Sequence, residues 1–191
     1  MDFFVYSRDA PGREALRRDD RLTEEHWSYM DRFAETMIAR GPTLAPDRET
    51  PTGSVHVLGL PSAAAATTFV EDEPNNRAGV YAEHRTWAFE NLLGRTMWEF
   101  TGTADGPRFL VIALATRDER ATVSASLGPE LRERTIVYGT LAEPDGTDVI
   151  GVPVALQAPG KNAVVPLLKR ASVLSAFTEI QVHDWEFGGR R

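Results

Sequence analysis

Residues 79–89 read GVYAEHRTWAF, and residues 177–187 read FTEIQVHDWEF. Both stretches are short and rich in aromatic and β-branched residues, which is typical of β-strands. When the two are aligned, Trp87 lies opposite Trp185, and a phenylalanine follows each tryptophan two positions later. A match of this kind between two strands indicates that one folding unit occurs twice in the chain.

Two further pairs of segments repeat at nearly the same offset. Residues 41–46 (GPTLAP) match residues 139–144 (GTLAEP), and residues 54–59 (SVHVLG) match residues 151–156 (GVPVAL). Because the members of each matching pair are separated by nearly the same number of residues, we predict two tandem units.

The first unit is predicted to span residues 1–95 and the second to span residues 107–191. Residues 96–106 are predicted to form the linker, because they contain the sequence TGTADG, which is typical of turns. The second unit is expected to be a degenerate copy of the first.

The first helix of the first unit is expected to begin at the N-cap Thr23 and to run to about Arg40, because Gly41-Pro42 is a strong stop signal. A strand at residues 2–7 precedes it. The buried face of this helix should carry the residues that recur at helical spacing, which are Trp27, Met30, Phe33, Ala34, Met37 and Ile38.

The rest of the first unit continues with two strands and a second helix. Residues 43–53 predict a strand end and a turn, and the alternation in residues 54–60 predicts a strand. Ser62 should cap a helix that ends before Pro74, and residues 79–89 supply the last strand. The order β-α-β-β-α-β is that of a ferredoxin-like unit.

A four-stranded sheet with both helices on one face leaves its other apolar face uncovered. Two such sheets packed face to face cover each other and enclose a space between them. We therefore predict an α+β protein, with two ferredoxin-like units packed as an intramolecular dimeric α+β barrel. The chain would then be a monomeric pseudo-dimer, and a further homodimer remains open.

The net charge and the hydrophobic pattern of the chain limit the kinds of binding partner that we expect. The chain of 191 residues has a formal net charge of −7, so its surface should repel nucleic-acid phosphates. The amino-terminal sequence MDFFVYSRD lacks a basic start and a long apolar run, and no apolar run approaches the length of a membrane span. We expect a cytoplasmic protein that binds a small molecule, without nucleic-acid or membrane partners.

No cofactor or metal is expected from the motifs. The chain has no cysteine, and its four histidines show neither HxH nor HxxxH spacing. Neither a P-loop nor a GxGxxG fingerprint occurs, and the Gx[ST]xG nucleophile motif is missing too.

Several short motifs in the amino-terminal half resemble the YciI-like (YCII-related) family across about residues 2–89. They are DAPG at 9–12, EHW at 25–27, ARGP at 39–42, PTGS at 51–54, EP at 73–74 and AGVY at 78–81, followed by Trp87. The resemblance implies a ferredoxin-like fold, a dimeric α+β barrel and a site built on a His–Asp pair. The matching positions here are His26 and Asp9. A few relatives are cofactor-free lyases, for example in dehydrochlorination of aromatic breakdown products.

The residues themselves make His26 the sharpest candidate for chemistry. It lies in the first turn of the predicted helix, where partial positive charge favours a neutral imidazole, and a carboxylate such as Asp9 would orient the ring. The alternatives are a solvent-facing His26 and an Asp9 that only shapes the Pro-Gly turn. Arg21, Ser54, His56 and Glu73 are candidate substrate-binding residues. Ser54 and His56 share one face of their strand, which lines either the enclosed space or the helix layer.

The second unit lacks a matching acid or base. Alignment of Gly41 with Gly139 places Val123 or Ser124 opposite His26, and Gly128-Pro129 should shorten or break the corresponding helix. We therefore expect one site and a second half that acts as a structural lid.

The expected function is that of a cofactor-independent lyase, isomerase or hydrolase for a small anionic or aromatic molecule. The alternative is a non-catalytic module that binds a small molecule or a protein.

Overall fold

The computed structural model describes residues 1–103, 106–115 and 127–189. The strands in this part of the chain are β1 (Asp2–Asp9), β2 (Met37–Leu44), β3 (Pro51–Gly59), β4 (Tyr81–Asn91), β5 (Arg108–Leu114), β6 (Thr135–Ala142), β7 (Val149–Gln157) and β8 (Glu179–Trp185). The helices are α1 (Glu14–Arg17), α2 (Asp20–Asp31), α3 (Ala63–Asp72), α4 (Pro74–Arg77), α5 (Pro129–Arg134) and α6 (Lys161–Arg170), and a 3-10 turn covers Met97–Glu99. No helix among these is both long and apolar enough to cross a bilayer.

The strands form one closed antiparallel barrel in which the two halves repeat the same order. The first half contributes β4-β1-β3-β2 and the second contributes β8-β5-β7-β6. Two junctions close the barrel. β2 pairs with β8 through Thr43 and Trp185, and residues 88–91 of β4 pair with residues 139–142 of β6. The predicted fold class, two ferredoxin-like units in an α+β barrel, is confirmed. The unit boundaries and the origin of the repeat by duplication stay predictions.

Side chains from both halves fill most of the barrel interior. Phe4, Trp87 and Leu110 belong to one buried cluster inside it, together with Trp185. The two tryptophans that revealed the sequence repeat therefore lie in the same core. Separate apolar clusters cover the outside, where α2 and α3 pack on the first sheet and α6 packs on the second. Each sheet thus has one face against helices and one face against the other sheet.

The first long helix is shorter than the sequence predicts. It begins after Asp19, whose side chain accepts a hydrogen bond from the backbone N–H of Leu22 at 2.8 Å, and it ends at Asp31. Residues 37–44 form β2 instead of the helix end, because they pair with β3 along its length. Trp27, expected in the core, is 42% exposed. The helical spacing of Met37 and Ile38 was therefore a misleading signal.

The helix that Gly128-Pro129 is expected to shorten or break falls mostly on residues 116–126, which lie outside the residues that the structure describes. Pro129 is the first residue of α5, a position where its fixed φ angle and missing N–H suit a helix. Val123 and Ser124, which the alignment places opposite His26, lie outside the residues that the structure describes.

The chain beyond β8 runs alongside β2 and joins the two halves. The backbone N–H of Gly188 donates to the carbonyl of Arg40 at 2.8 Å, and that of Glu186 donates to the carbonyl of Pro42 at 3.2 Å. Gly41 lies directly beneath this crossing, and a Cβ atom there would overlap the Glu186 carbonyl oxygen. The absence of a side chain at Gly41 is therefore a condition for the close contact.

Gly41→Ala should lower the free energy of unfolding by about 1–3 kcal/mol, because the overlapping atom belongs to the backbone and cannot rotate away. Gly128→Ala is the matched control, since a Cβ atom there meets no described atom within 4 Å. Urea denaturation of both variants measures the effect. Equal free energies of unfolding for Gly41→Ala and the wild type would contradict the close contact between Gly41 and Glu186.

Candidate functional site

A cavity of about 290 Å³ lies outside the barrel, between α2 and the outer face of β2 and β3. Its lining includes Arg17, His26, Ser54, His56, Asn75 and Phe187. Residues from both halves of the chain therefore meet around one space. The amino-terminal half supplies its polar groups, and the segment after β8 supplies one wall.

His26 is paired with a buried carboxylate. Its Nδ1 atom lies 2.5 Å from Oε1 of Glu73, and the Glu73 side chain is only 3% exposed. Glu73 is the N-cap of α4, so its Oε2 also accepts the backbone N–H of Asn76 at 2.9 Å. The side-chain amide of Asn75 donates to Oε1 at 3.2 Å. These bonds fix the carboxylate against the imidazole.

The contact with Glu73 determines which His26 nitrogen is available for chemistry. A carboxylate accepts a hydrogen bond, so Nδ1 carries the proton in the neutral ring. The lone pair of Nε2 then remains free to accept a proton. The side chain of His26 lines the cavity and is 17% exposed.

Arg17 is a second ordered group in the cavity wall. Its guanidinium donates to the hydroxyls of Ser54 at 2.5 Å and Tyr81 at 3.1 Å, and its Nε lies 3.6 Å from Asp9 Oδ2. Burial lowers the pKa of Arg17, but Tyr81, Asp9 and Glu73 together outweigh burial and raise it. Arg17 is therefore a fixed positive charge.

Asp9 has no described hydrogen bond to His26, and Arg21 does not line the cavity. The Asp9 carboxylate faces Arg17, its Oδ1 has no hydrogen-bond partner among the described residues, and burial is the main cause of its raised pKa. Arg21 is 88% exposed and pairs with Glu25 on the surface of α2. The carboxylate that contacts His26 is therefore that of Glu73, and the arginine of this segment that lines the cavity is Arg17.

Ser54 and His56 share a face of β3, as the alternation predicts, and that face points toward the helices. The His56 ring lies 5.8 Å from the His26 ring and 5.6 Å from the Phe69 ring. Burial, followed by the electrostatic influence of His26, Arg17 and Arg40, holds the pKa of His56 well below its usual value. His56 is therefore a neutral part of the cavity wall at physiological pH.

Phe187 is the contribution of the second half to the site. Its ring lies 4.2 Å from the Arg108 guanidinium and makes an edge contact with Trp185 at 5.6 Å. The next residues continue along β2, where the Arg40 side chain donates to the carbonyl of Gly189. The sequence indicates no role for Phe187 beyond its match with Phe89, because the pairing of residues 186–188 with β2 that brings it here is a tertiary contact.

The comparisons with known proteins agree with this architecture. The YCII-related domain model matches residues 1–90, so the amino-terminal half of the chain is a YCII-related domain, as its motifs indicate. No curated protein matches the chain.

The same half is similar to the 5-chloro-2-hydroxyhydroquinone dehydrochlorinase of Burkholderia phenoliruptrix AC1100, solved with 2,5-dihydroxybenzoquinone. That likeness has 26% identity and a TM-score of 0.43, and it covers 48% of this chain and 95% of the dehydrochlorinase.

Two solved structures are similar over nearly the whole chain. An anthrone oxidase-like protein has 11% identity and a TM-score of 0.54, with 98% of this chain and 90% of its own covered. A heme-binding protein from Thermus thermophilus has 8% identity and a TM-score of 0.51, with 96% and 90% covered. These likenesses support the barrel fold and carry no further conclusion about chemistry.

The neutral His56 should make the fold less stable in acid. Below about pH 6.5 the unfolded chain binds a proton at His56 that the folded chain excludes, so acidification favours unfolding. From pH 7 to pH 5 this group should cost up to about 2 kcal/mol. His56→Leu should therefore lose less stability over that interval than the wild type does.

The measurement is urea denaturation at the two pH values, with the exposed His84→Gln variant as the control. His183 has a pKa lowered to about 4 by burial and by Lys161, and it adds a loss of the same sign in every variant. If the free energy of unfolding depends on pH identically in His56→Leu and the wild type, the conclusion that the folded chain keeps His56 neutral is contradicted.

Proposed function

We propose that this protein is a cofactor-independent lyase, isomerase or hydrolase in which Nε2 of His26 is the general base. The substrate would be a small anionic or aromatic molecule bound in the 290 Å³ cavity. The observation that carries the proposal is the 2.5 Å contact between His26 Nδ1 and the buried Glu73 carboxylate.

The His26–Glu73 pair has the two properties that proton abstraction needs. Glu73 holds the ring in one tautomer, which leaves Nε2 as the acceptor, and its negative charge stabilises the imidazolium that forms after transfer. The proton removed from the substrate would return from Nε2 to the product or to the leaving group. A positioned base typically contributes about 10²–10⁴ in rate, so binding in the cavity must supply the rest.

The charges around the cavity favour an anionic substrate. Arg17 and Arg40 both line it, and Arg17 is held in place by Ser54, Tyr81 and Asp9. A guanidinium fixed in this way attracts a carboxylate or a phenolate without first having to be ordered. Tyr81 stays a neutral hydroxyl, because burial raises its pKa to about 12.

The aromatic groups at the edge of the cavity favour a planar substrate. Phe187 from the second half and Trp27 from α2 both line the space. This arrangement supports the prediction that the second half acts as a lid, since residues 187–189 line a cavity whose polar side chains come from the first half.

Activity should depend on His26 far more strongly than on an exposed histidine. In a screen of small phenols and carboxylic acids, His26→Ala should lower turnover of any active compound by about 10²–10⁴, with His84→Ala as the matched control. Glu73→Gln should also lower turnover, because the tautomer is no longer fixed by a charge. Arg17→Ala should weaken binding of anionic compounds, whereas the surface variant Arg21→Ala should not.

Circular dichroism of each variant separates lost chemistry from lost folding. Unchanged turnover in a folded His26→Ala variant would contradict the proposal. Saturable binding without turnover in the wild type would instead favour the alternative, a non-catalytic module that binds small molecules.

A further inference from the structure

A second cavity of about 230 Å³ lies at one end of the barrel interior, between the two sheets. Inward-facing side chains of β1, β4, β5 and β8 line it, and it shares no lining residue with the His26 cavity. The space that the sheet-to-sheet packing was expected to enclose is therefore filled over most of its length and open at this end.

The deep part of the cavity has apolar walls and one unsatisfied polar atom. Tyr6, Trp87 and Ile112 line it and are almost completely buried. His183 also lines it, and its Nε2 is buried without a hydrogen-bond partner in the part of the chain that the structure describes. Leaving a buried ring nitrogen unpaired costs free energy unless a ligand or water completes the bond. The cavity beside His183 is where such a group would enter.

The rim of the cavity is charged. Arg8 and Glu83 form an ion pair at 3.2 Å, and Arg85, also at the rim, is exposed. Because the Arg8 and Glu83 charges offset each other, Arg85 supplies the remaining charge among the residues that line this cavity. A ligand with an apolar body and an anionic end would thus meet apolar walls inside and a guanidinium outside.

We propose that this barrel mouth binds a single-ring aromatic carboxylate, with its ring against Trp87, a hydroxyl group on His183 Nε2 and its carboxylate at Arg85. Pockets for drug-sized ligands usually measure about 300–1,000 Å³. The volume of about 230 Å³ lies below that range, so it fits a smaller molecule with a single ring. This site is independent of the proposed reaction at His26.

The test is calorimetric titration with 4-hydroxybenzoate and with benzoate, which lacks the hydroxyl. Arg85→Ala should weaken both ligands about tenfold, because each loses a charge-assisted contact. His183→Leu should weaken 4-hydroxybenzoate about tenfold and leave benzoate unchanged, because only the first ligand reaches the ring nitrogen.

Arg85 is exposed, so its removal leaves the fold intact, and circular dichroism checks the His183→Leu variant. Three results would overturn the proposal: no saturable binding to the wild type, equal binding by both variants and the wild type, or loss of binding in His26→Ala. Loss of binding in His26→Ala would place the ligand in the cavity that His26 lines.

Discussion

The rest of the structure depends on the two strand junctions that close the barrel. Without the β2–β8 and β4–β6 pairs, each half would be an open sheet with one apolar face in water. Closure buries Phe4 and Trp87 of one half against Leu110 and Trp185 of the other. The two halves of one chain therefore cover each other's apolar sheet faces.

Closure also determines where the candidate site lies. Because β8 ends beside β2, the following residues run over Gly41 and bring Phe187 to the cavity that contains His26. An ion-pair cluster holds this segment, since Arg48 contacts both Asp184 and Glu186. The second half therefore contributes to the site through its position, even though the proposed acid–base pair belongs to the first half.

The fold could be predicted because its signals are local and repeated. Strand alternation and the match between Trp87 and Trp185 can be read from one sequence. The end of α2 cannot, because Met37 and Ile38 fit the residue spacing of both a helix and a strand. The partner of His26 was missed for a similar reason. Glu73 lies far along the chain, and only the packing of α4 against α2 selects it over Asp9.

Formation of one disulfide tests barrel closure within a single chain most directly. The chain has no cysteine, and Ala88 and Ala142 are paired across the β4–β6 junction. Paired positions on antiparallel strands lie about 4.5–5.5 Å apart at Cα, which a disulfide can bridge. Mass spectrometry of oxidised Ala88→Cys/Ala142→Cys should find an intramolecular disulfide in a monomer. Free thiols, or a disulfide that links two chains, would contradict the account.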